Sequence, residues 1–341
     1  MIEFLTFGTA FLAAYLGIFL FRAWSTHRGL FDIPNERSSH DEPTPRGGGL
    51  VIVLICLIAY AILGWFYPSA FSWSYFVSAL MIGLVSWLDD IYTVSFYIRL
   101  AVHSLAAALM ITELGYWQTI YIPLLGEHLS LGYAGAALTF AWIVWMVNAY
   151  NFMDGIDGIA GVQAVLASCG WMLFCFILGV PSTFIFCGVI LFASAGFLMH
   201  NWHPATVFMG DVGSAFLGFT FAVIPLLIQA QVAAELSFLP VVAAMFVWLF
   251  LFDTVLTFAR RLLKGKKVWH PHREHLYQRL VISGLRHDLV TGFYGLLTAI
   301  IIFSVVYAIS NSGILEPLLL LIIGFLTAVL ITLAFVRRAL T

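Results

Sequence analysis

The chain reads as an all-α, polytopic integral membrane protein of about eleven transmembrane helices, forming a single domain over residues 1–341. Three observations carry that reading. Hydrophobic residues make up 62% of the sequence and charged residues 9%, against about 25% charged in soluble globular domains, and the mean hydropathy is +1.01. Apolar stretches of about 20 residues, enough to cross a bilayer core roughly 30 Å thick, recur along the whole sequence. All 15 lysines and arginines fall in alternate connections between those stretches.

The stretches lie near 2–22, 47–66, 70–88, 100–118, 134–152, 160–178, 183–199, 214–233, 239–257, 289–309 and 317–336. Only Met1-Ile2-Glu3 precedes the first, with no basic segment and no small-residue cleavage site, so a retained helix is expected there. Arg22, Arg28, Arg37 and Arg46 follow the first span and Arg99 the third. Arg260, Arg261, Lys264, Lys266, Lys267, Arg273, Arg279 and Arg286 follow the ninth, and Arg337 and Arg338 the eleventh. The positive-inside rule then makes the odd connections cytoplasmic, the N-terminus external and the C-terminus cytoplasmic. The net charge of −2 hides this segregation of sign and implies no nucleic-acid partner. Cys56, Cys169, Cys175 and Cys187 lie in apolar spans without metal-type spacing, as buried packing residues do.

Each odd connection carries a polar constellation. The first runs Asp32-Ile33-Pro34-Asn35-Glu36-Arg37 and later Asp41-Glu42-Pro43-Thr44-Pro45-Arg46 ahead of Gly47, Gly48 and Gly49. Prolines restrict the loop, and Arg46 sets a fixed cation beside accessible backbone, suited to phosphate contact or to a solvated loop. Asp89-Asp90 closes the third span; paired carboxylates there fit either the membrane edge or a hard cation such as Mg²⁺. At the end of the fifth, Asn148, Asn151, Asp154 and Asp157 recur every three residues, which predicts one polar seam on a helical surface. Caps and turns use the same residue types, but they do not need four in register. After the seventh comes Asn201-Trp202-His203-Pro204, ending in Met209-Gly210-Asp211 at the mouth of the next span, where Asp211 suits a helix cap or a ligand.

The ninth connection surrounds His270-Pro271-His272-Arg273-Glu274-His275 with cations. His272 and His275 share a helical face but lack a third zinc ligand, so anion binding fits better; Lys264, Lys266 and Lys267 suit lipid headgroups. Asp253 is a lone carboxylate late in the ninth span, either functional, paired with Arg260, or bonded to neighbouring helices. Together, carboxylates, amides and cations at one membrane face suit Mg²⁺ and a pyrophosphate, since phosphoryl transfer needs alignment and charge neutralisation.

At this point the chain resembles the polyprenyl-phosphate N-acetylhexosamine-1-phosphate transferase family, glycosyltransferase family 4. The resemblance rests on the Asp32-to-Arg37 and Pro43-to-Gly48 segments, Asp89-Asp90, Asn151 to Asp157, Asn201 to Asp211 and the His-rich loop, in that order. It implies transfer of a sugar 1-phosphate from a UDP-N-acetylamino sugar to undecaprenyl phosphate, releasing UMP, with Mg²⁺ or alternatively Mn²⁺. By the family's pattern Asp211 and Asn151 are metal contacts, Asp89, Asp90, Asp154 and Asp211 catalytic, and Arg46, Asn148, Asp157, Asn201, His272 and His275 substrate-binding. It also implies the bacterial cytoplasmic (inner) membrane, the lipid bilayer as a partner and a cytoplasmic active site; a homodimer is left open. The loop lacks the contiguous histidines of the peptidoglycan branch, which favours the O-antigen and surface-polysaccharide branch. A proton-coupled secondary transporter is the rival from another class, but its site would lie near the bilayer midplane. A CDP-alcohol phosphotransferase would need an Arg soon after Asp154-Gly155, and none occurs before Arg260.

Overall fold

A computed structural model describes residues 2–34, 42–122, 125–266, 272–310 and Phe325. Among these, nine helices are long and apolar enough to cross a membrane, and a bent pair brings the number to ten if it is counted as one span. The single spans are α1 (Ile2–Arg28), α2 (Gly49–Phe66), α3 (Trp73–Tyr92), α4 (Phe96–Leu114), α5 (Ala134–Met153), α6 (Ile159–Leu178), α7 (Pro181–Asn201), α8 (Gly210–Gln229) and α12 (His287–Ser310). The pair is α9 (Leu239–Phe246) and α10 (Trp248–Leu263), and α11 (Leu276–Ile282) is a short helix outside the spans. The expected span at 317–336, apart from Phe325, and Arg37, Asp41, Lys267, His270, Arg337 and Arg338 lie outside the described residues.

The chain is a multi-pass membrane protein built around α8, which is almost wholly buried while α1 and α4 keep broad apolar faces exposed. Small residues let neighbours reach it, as in membrane bundles where close backbone packing replaces a hydrophobic drive. A Cβ on Gly218 would lie 2.6 Å from Met146 O of α5, and one on Gly49 would lie 2.4 Å from Gly213 Cα of α8.

One expectation is corrected. The stretch at 239–257 reads as a single helix, but the chain bends by 81° between α9 and α10. Val247 leaves helical geometry at φ −122°, ψ 21°, and the Gln163 amide of α6 donates to Phe246 O at 2.8 Å. A buried polar side chain thus occupies a carbonyl beside the break, which tertiary contact allows and no local Gly or Pro announces.

Two small antiparallel pairs supplement the helices: β1 (Phe31–Asp32) with β2 (Thr44–Pro45), and β3 (Thr119–Ile122) with β4 (Glu127–Ser130). The first has a positional consequence. Phe208 N donates to Pro45 O (2.8 Å), Gly48 N to Phe208 O (2.9 Å) and Gly49 N to Met209 O (2.9 Å), so the segment after β2 is clipped to the entry of α8.

Because the obstacles to a Cβ on Gly49 are backbone atoms, Gly49→Ala is expected to destabilise the fold by about 1–3 kcal/mol. Gly8→Ala, whose Cβ meets nothing within 4 Å, should be neutral. Thermal melts of both variants in detergent check this; equal midpoints would contradict the close approach of α2 and α8.

Candidate active site

The ends of α1, α3, α5, α7 and α10 meet at one face, where three carboxylates interlock with two guanidiniums. Arg46 Nη2 donates to Asp211 Oδ1 at 2.5 Å and its Nε pairs with Asp90 Oδ1 at 2.9 Å. Arg99, one turn into α4, reaches Asp89 Oδ2 at 2.5 Å and Asp211 Oδ2 at 3.0 Å through Nη1. Burial works against the charge of Arg46, but Asp211, Asp90 and Asp32 outweigh it and hold the guanidinium more firmly protonated than usual.

Asp90 does a second job. Its two oxygens accept the backbone N–H groups of Asp211 (2.9 Å) and Val212 (3.0 Å), so a side chain of α3 caps the N-terminus of α8. Gly210 has φ +75°, and a Cβ there would meet Asp90 Oδ2 at 2.7 Å and Gly47 Cα at 2.9 Å; only glycine fits this corner. Asp89 accepts Val94 N at 2.6 Å besides its Arg99 pair, so both its oxygens are held.

A cavity of about 530 Å³ opens beside this cluster, with Asp89, Arg99, Asn148, Asn151, Asp211 and His275 in its wall. An adjoining groove of about 550 Å³ is apolar, lined by Leu100, Phe140, Val144, Trp145 and Phe258 among others. The two share Phe96, Asn148, Phe152, His272 and His275.

The expected seam from Asn148 to Asp157 holds only in part. Asn148 and Asn151 face the cavity from α5, but the helix ends at Met153 and Asp154 turns away at φ −85°, ψ 58°. Burial, with Asp211 and Asp90 nearby, pushes the Asp154 carboxyl up to about 7 against the pull of Arg46. Asp157 belongs to a separate knot: its Oδ2 meets His203 Nδ1 at 2.6 Å, accepts Ala205 N at 3.2 Å and lies 3.4 Å from His287 Nδ1. Burial raises this carboxyl, but the His287 and His203 contacts more than offset it and hold it below the usual range. Asn201 joins the knot, accepting Gly158 N at 3.1 Å and donating to Val207 O at 2.9 Å. Among the described residues lining the cavity, neither Asp157 nor Asn201 appears.

Two donor sets could hold a metal. Asp157, His203 and His287 bring ligand atoms within 4.8 Å of one another, a nitrogen-rich set of the kind zinc takes; His203 Nδ1 meets Asp157 Oδ2, while His287 Nδ1 accepts the backbone N–H of Asp157 at 3.4 Å. Asp211 and Asn151, with Asp89 and Asn148 in the same wall, offer hard oxygens to the cavity, which fits Mg²⁺.

Behind His275, Asp253 bonds to neighbouring elements, the third of its three readings. Only 1% exposed, it accepts Leu276 N (2.9 Å), Tyr277 N (3.2 Å), Thr257 Oγ1 (3.1 Å) and Tyr294 OH (3.1 Å). It also lies 3.1 Å from His275 Nδ1. It thus caps α11 from within α10 and fixes the ring of His275. His272 stacks on that ring with centroids 4.9 Å apart. Burial, with His275 and Arg261 close, pushes His272 down to about 4. Tyr277 OH donates to Phe152 O at 2.9 Å, close enough that Gly155 admits no Cβ.

Sequence reasoning passed over Arg99 and His103 as site residues. The signal was available: an Arg ten residues after an acidic pair, and a His one turn further along the same helical face.

Residues 72–229 match the family described as glycosyl transferase family 4. The chain is 30% identical over 283 residues to the probable undecaprenyl-phosphate N-acetylglucosaminyl 1-phosphate transferase of Bacillus subtilis (strain 168), covering 81% of this chain and 78% of that protein. It is 31% identical over 326 residues to the decaprenyl-phosphate N-acetylglucosaminephosphotransferase of Mycobacterium tuberculosis (strain ATCC 25618 / H37Rv), covering 86% and 80%. It is 32% identical over 311 residues to the undecaprenyl-phosphate alpha-N-acetylglucosaminyl 1-phosphate transferase of Haemophilus influenzae, covering 82% and 80%.

Removing a carboxylate that so many buried groups address leaves them without an acceptor. Asp253→Ala is therefore expected to cost about 3–5 kcal/mol, read as a lower thermal midpoint, with Asp253→Glu intermediate. A parental midpoint for the alanine variant would show that the cap is not needed.

Proposed function

The chain belongs to glycosyl transferase family 4, the polyprenyl-phosphate N-acetylhexosamine-1-phosphate transferases, and we propose that it moves an N-acetylamino-sugar 1-phosphate from a UDP-sugar to undecaprenyl phosphate. The product would be undecaprenyl-diphosphate-sugar with release of UMP, as the first membrane step of an O-antigen or related surface polysaccharide. One observation carries this reading: a polar, charge-lined cavity and an apolar groove of similar size share a wall. A substrate with a phosphate head and a prenyl tail needs both environments side by side, and a nucleotide sugar needs only the first.

In the transfer, an oxygen of the lipid phosphate attacks the β-phosphorus of the UDP-sugar, and the bond to the UMP oxygen breaks as UMP leaves. A phosphate monoester with second pKa near 6 is already mostly ionised at neutral pH, so no protein base is required. Asp89, bound on both oxygens by Val94 N and Arg99, suits a positioning role. Asp211 and Asn151 would hold Mg²⁺, which when bound draws off charge from the pyrophosphate oxygens. Arg46 and Arg99 fix Asp211 from both sides; His272 and His275 face the junction of cavity and groove, where a pyrophosphate would lie.

Purified protein given undecaprenyl phosphate, Mg²⁺ and a panel of UDP-amino sugars should release UMP only when lipid, metal and one sugar are all present. Asp211→Asn should lower turnover by orders of magnitude at an unchanged thermal midpoint, because a neutral amide is a weak ligand. No UMP from the parent, or near-parental turnover in the variant, would defeat the reaction or the role of Asp211 respectively.

The membrane would be the bacterial inner membrane with the site facing the cytoplasm, since, among the described residues, Arg22, Arg28, Arg46, Arg99 and the cations Lys264, Lys266, Arg273, Arg279 and Arg286 after α10 fall in the connections that build the site's face. β3 and β4 lie at the other end of α5, some 30 Å away for a 20-residue helix. In intact cells, with the native cysteines removed, Glu127→Cys should react with an impermeant thiol reagent and Lys266→Cys should not. The reverse pattern would invert the topology.

A further inference from the structure

We infer that His103, together with Nε of Arg99, forms a phosphoryl-oxygen subsite in the cavity wall and receives the phosphate of the lipid acceptor. This deepens the proposed transfer and rests on it. Arg99 and His103 lie four residues apart on α4, hence on one face, and both line the cavity. His103 is 4% exposed.

The direction of its hydrogen bonding follows from its neighbour. Asn148 Nδ2 donates to Val144 O at 2.7 Å, which fixes that atom as the amide nitrogen. The same nitrogen lies 3.4 Å from His103 Nδ1, and an amide N–H can only donate. Nδ1 is therefore the acceptor and the ring proton sits on Nε2. Among the described residues, neither His103 Nε2 nor Arg99 Nε has a hydrogen-bond partner, although both are buried. Each such orphan donor costs about 1–3 kcal/mol, so two on one helix face beside a cavity call for an explanation. Donors rather than lone pairs point away from a metal and toward an oxyanion.

The choice of oxyanion comes from the same helix. Phe96 and Leu100 of α4 line the apolar groove, while Arg99 and His103 line the polar cavity. A prenyl chain lying along Phe96 and Leu100 would carry its phosphate to the stretch of cavity wall behind which the two unpartnered N–H groups lie. The pyrophosphate of the nucleotide sugar offers the same chemistry, and the experiment separates the two.

Binding of undecaprenyl phosphate and of undecaprenol would be measured for the detergent-solubilised parent, His103→Leu and His103→Gln, with KM for the UDP-sugar alongside. Leu keeps the bulk without the donor; Gln restores an N–H. We expect His103→Leu to bind undecaprenyl phosphate about tenfold more weakly, the loss of one hydrogen bond to a charged group. Undecaprenol binding should be unchanged, the UDP-sugar KM should stay within about twofold, and Gln should recover most of the loss. The thermal midpoint of His103→Leu should match or exceed the parent's, because an orphan donor has been removed. Parental affinity for undecaprenyl phosphate in His103→Leu would overturn the subsite. A rise confined to the UDP-sugar KM would move the donors to the pyrophosphate and overturn the lipid assignment. A fall in midpoint with equal loss of both lipids would make His103 structural. Because lipid binding needs no turnover, a parent that binds undecaprenyl phosphate but releases no UMP would count against the proposed reaction and not against this subsite.

Discussion

A charge taken out of water must be paired, and the arrangement of this face follows from how the largely buried Asp211 is paired. Its two oxygens are taken by guanidiniums from different elements, Arg46 before α2 and Arg99 on α4. The same cations hold Asp90 and Asp89. Three carboxylates against two guanidiniums leave a surplus of negative charge, which suits the proposed divalent cation. Buried ion pairs are weak sources of stability, because desolvation offsets much of their attraction. What they supply here is position: the ends of α3, α4 and α8 and the segment after β2 are set relative to one another around one carboxylate.

The same device recurs where helices begin inside the polar face. The first four N–H groups of a helix need acceptors, and here those come from other elements. Asp90 of α3 accepts from α8, Asp253 of α10 accepts from α11, and Asn201 of α7 accepts Gly158 N just ahead of α6. Two of these caps also touch a residue of the cavity wall, Asp90 through Asp211 and Asp253 through His275, while Asn201 holds the turn that carries Asp157. Capping and site geometry are thus one set of bonds, and a substitution at Asp90 or Asp253 acts on both.

Much of this was legible in the sequence, because hydropathy and the placement of cations are local properties. The apolar stretches locate nine helices among the described residues, and the loops predicted to share a face supply groups that touch. The break at Val247 was not legible, since the Gln163 amide that occupies Phe246 O comes from 83 residues away. Nor was the division of the Asn148-to-Asp157 run, because its period of three continues after α5 stops. Asp253 was visible as an anomaly but not as a cap, for its partners on α11 and α12 lie 23 to 41 residues further on. Arg99 was counted for its sign alone, and only the approach of α4 to α8 turns it into a partner of Asp211.

The shared wall of cavity and groove also bears on why the polar groups gather at the ends of the apolar spans. Drawing a prenyl chain into water costs about 0.8 kcal/mol per CH₂, so exposing ten carbons would cost on the order of 8 kcal/mol, the whole free energy of a micromolar complex. A site far out on the loops would forfeit its lipid, and one at the midplane would have to strip water from a nucleotide. The bend between α9 and α10 resolves this conflict. Beyond it, α10 turns Thr254, Thr257 and Phe258 to the groove while Asp253 holds His275 at the boundary. One helix segment therefore sets the apolar lining and the polar edge together, as the proposed pair of a lipid and a nucleotide substrate would require.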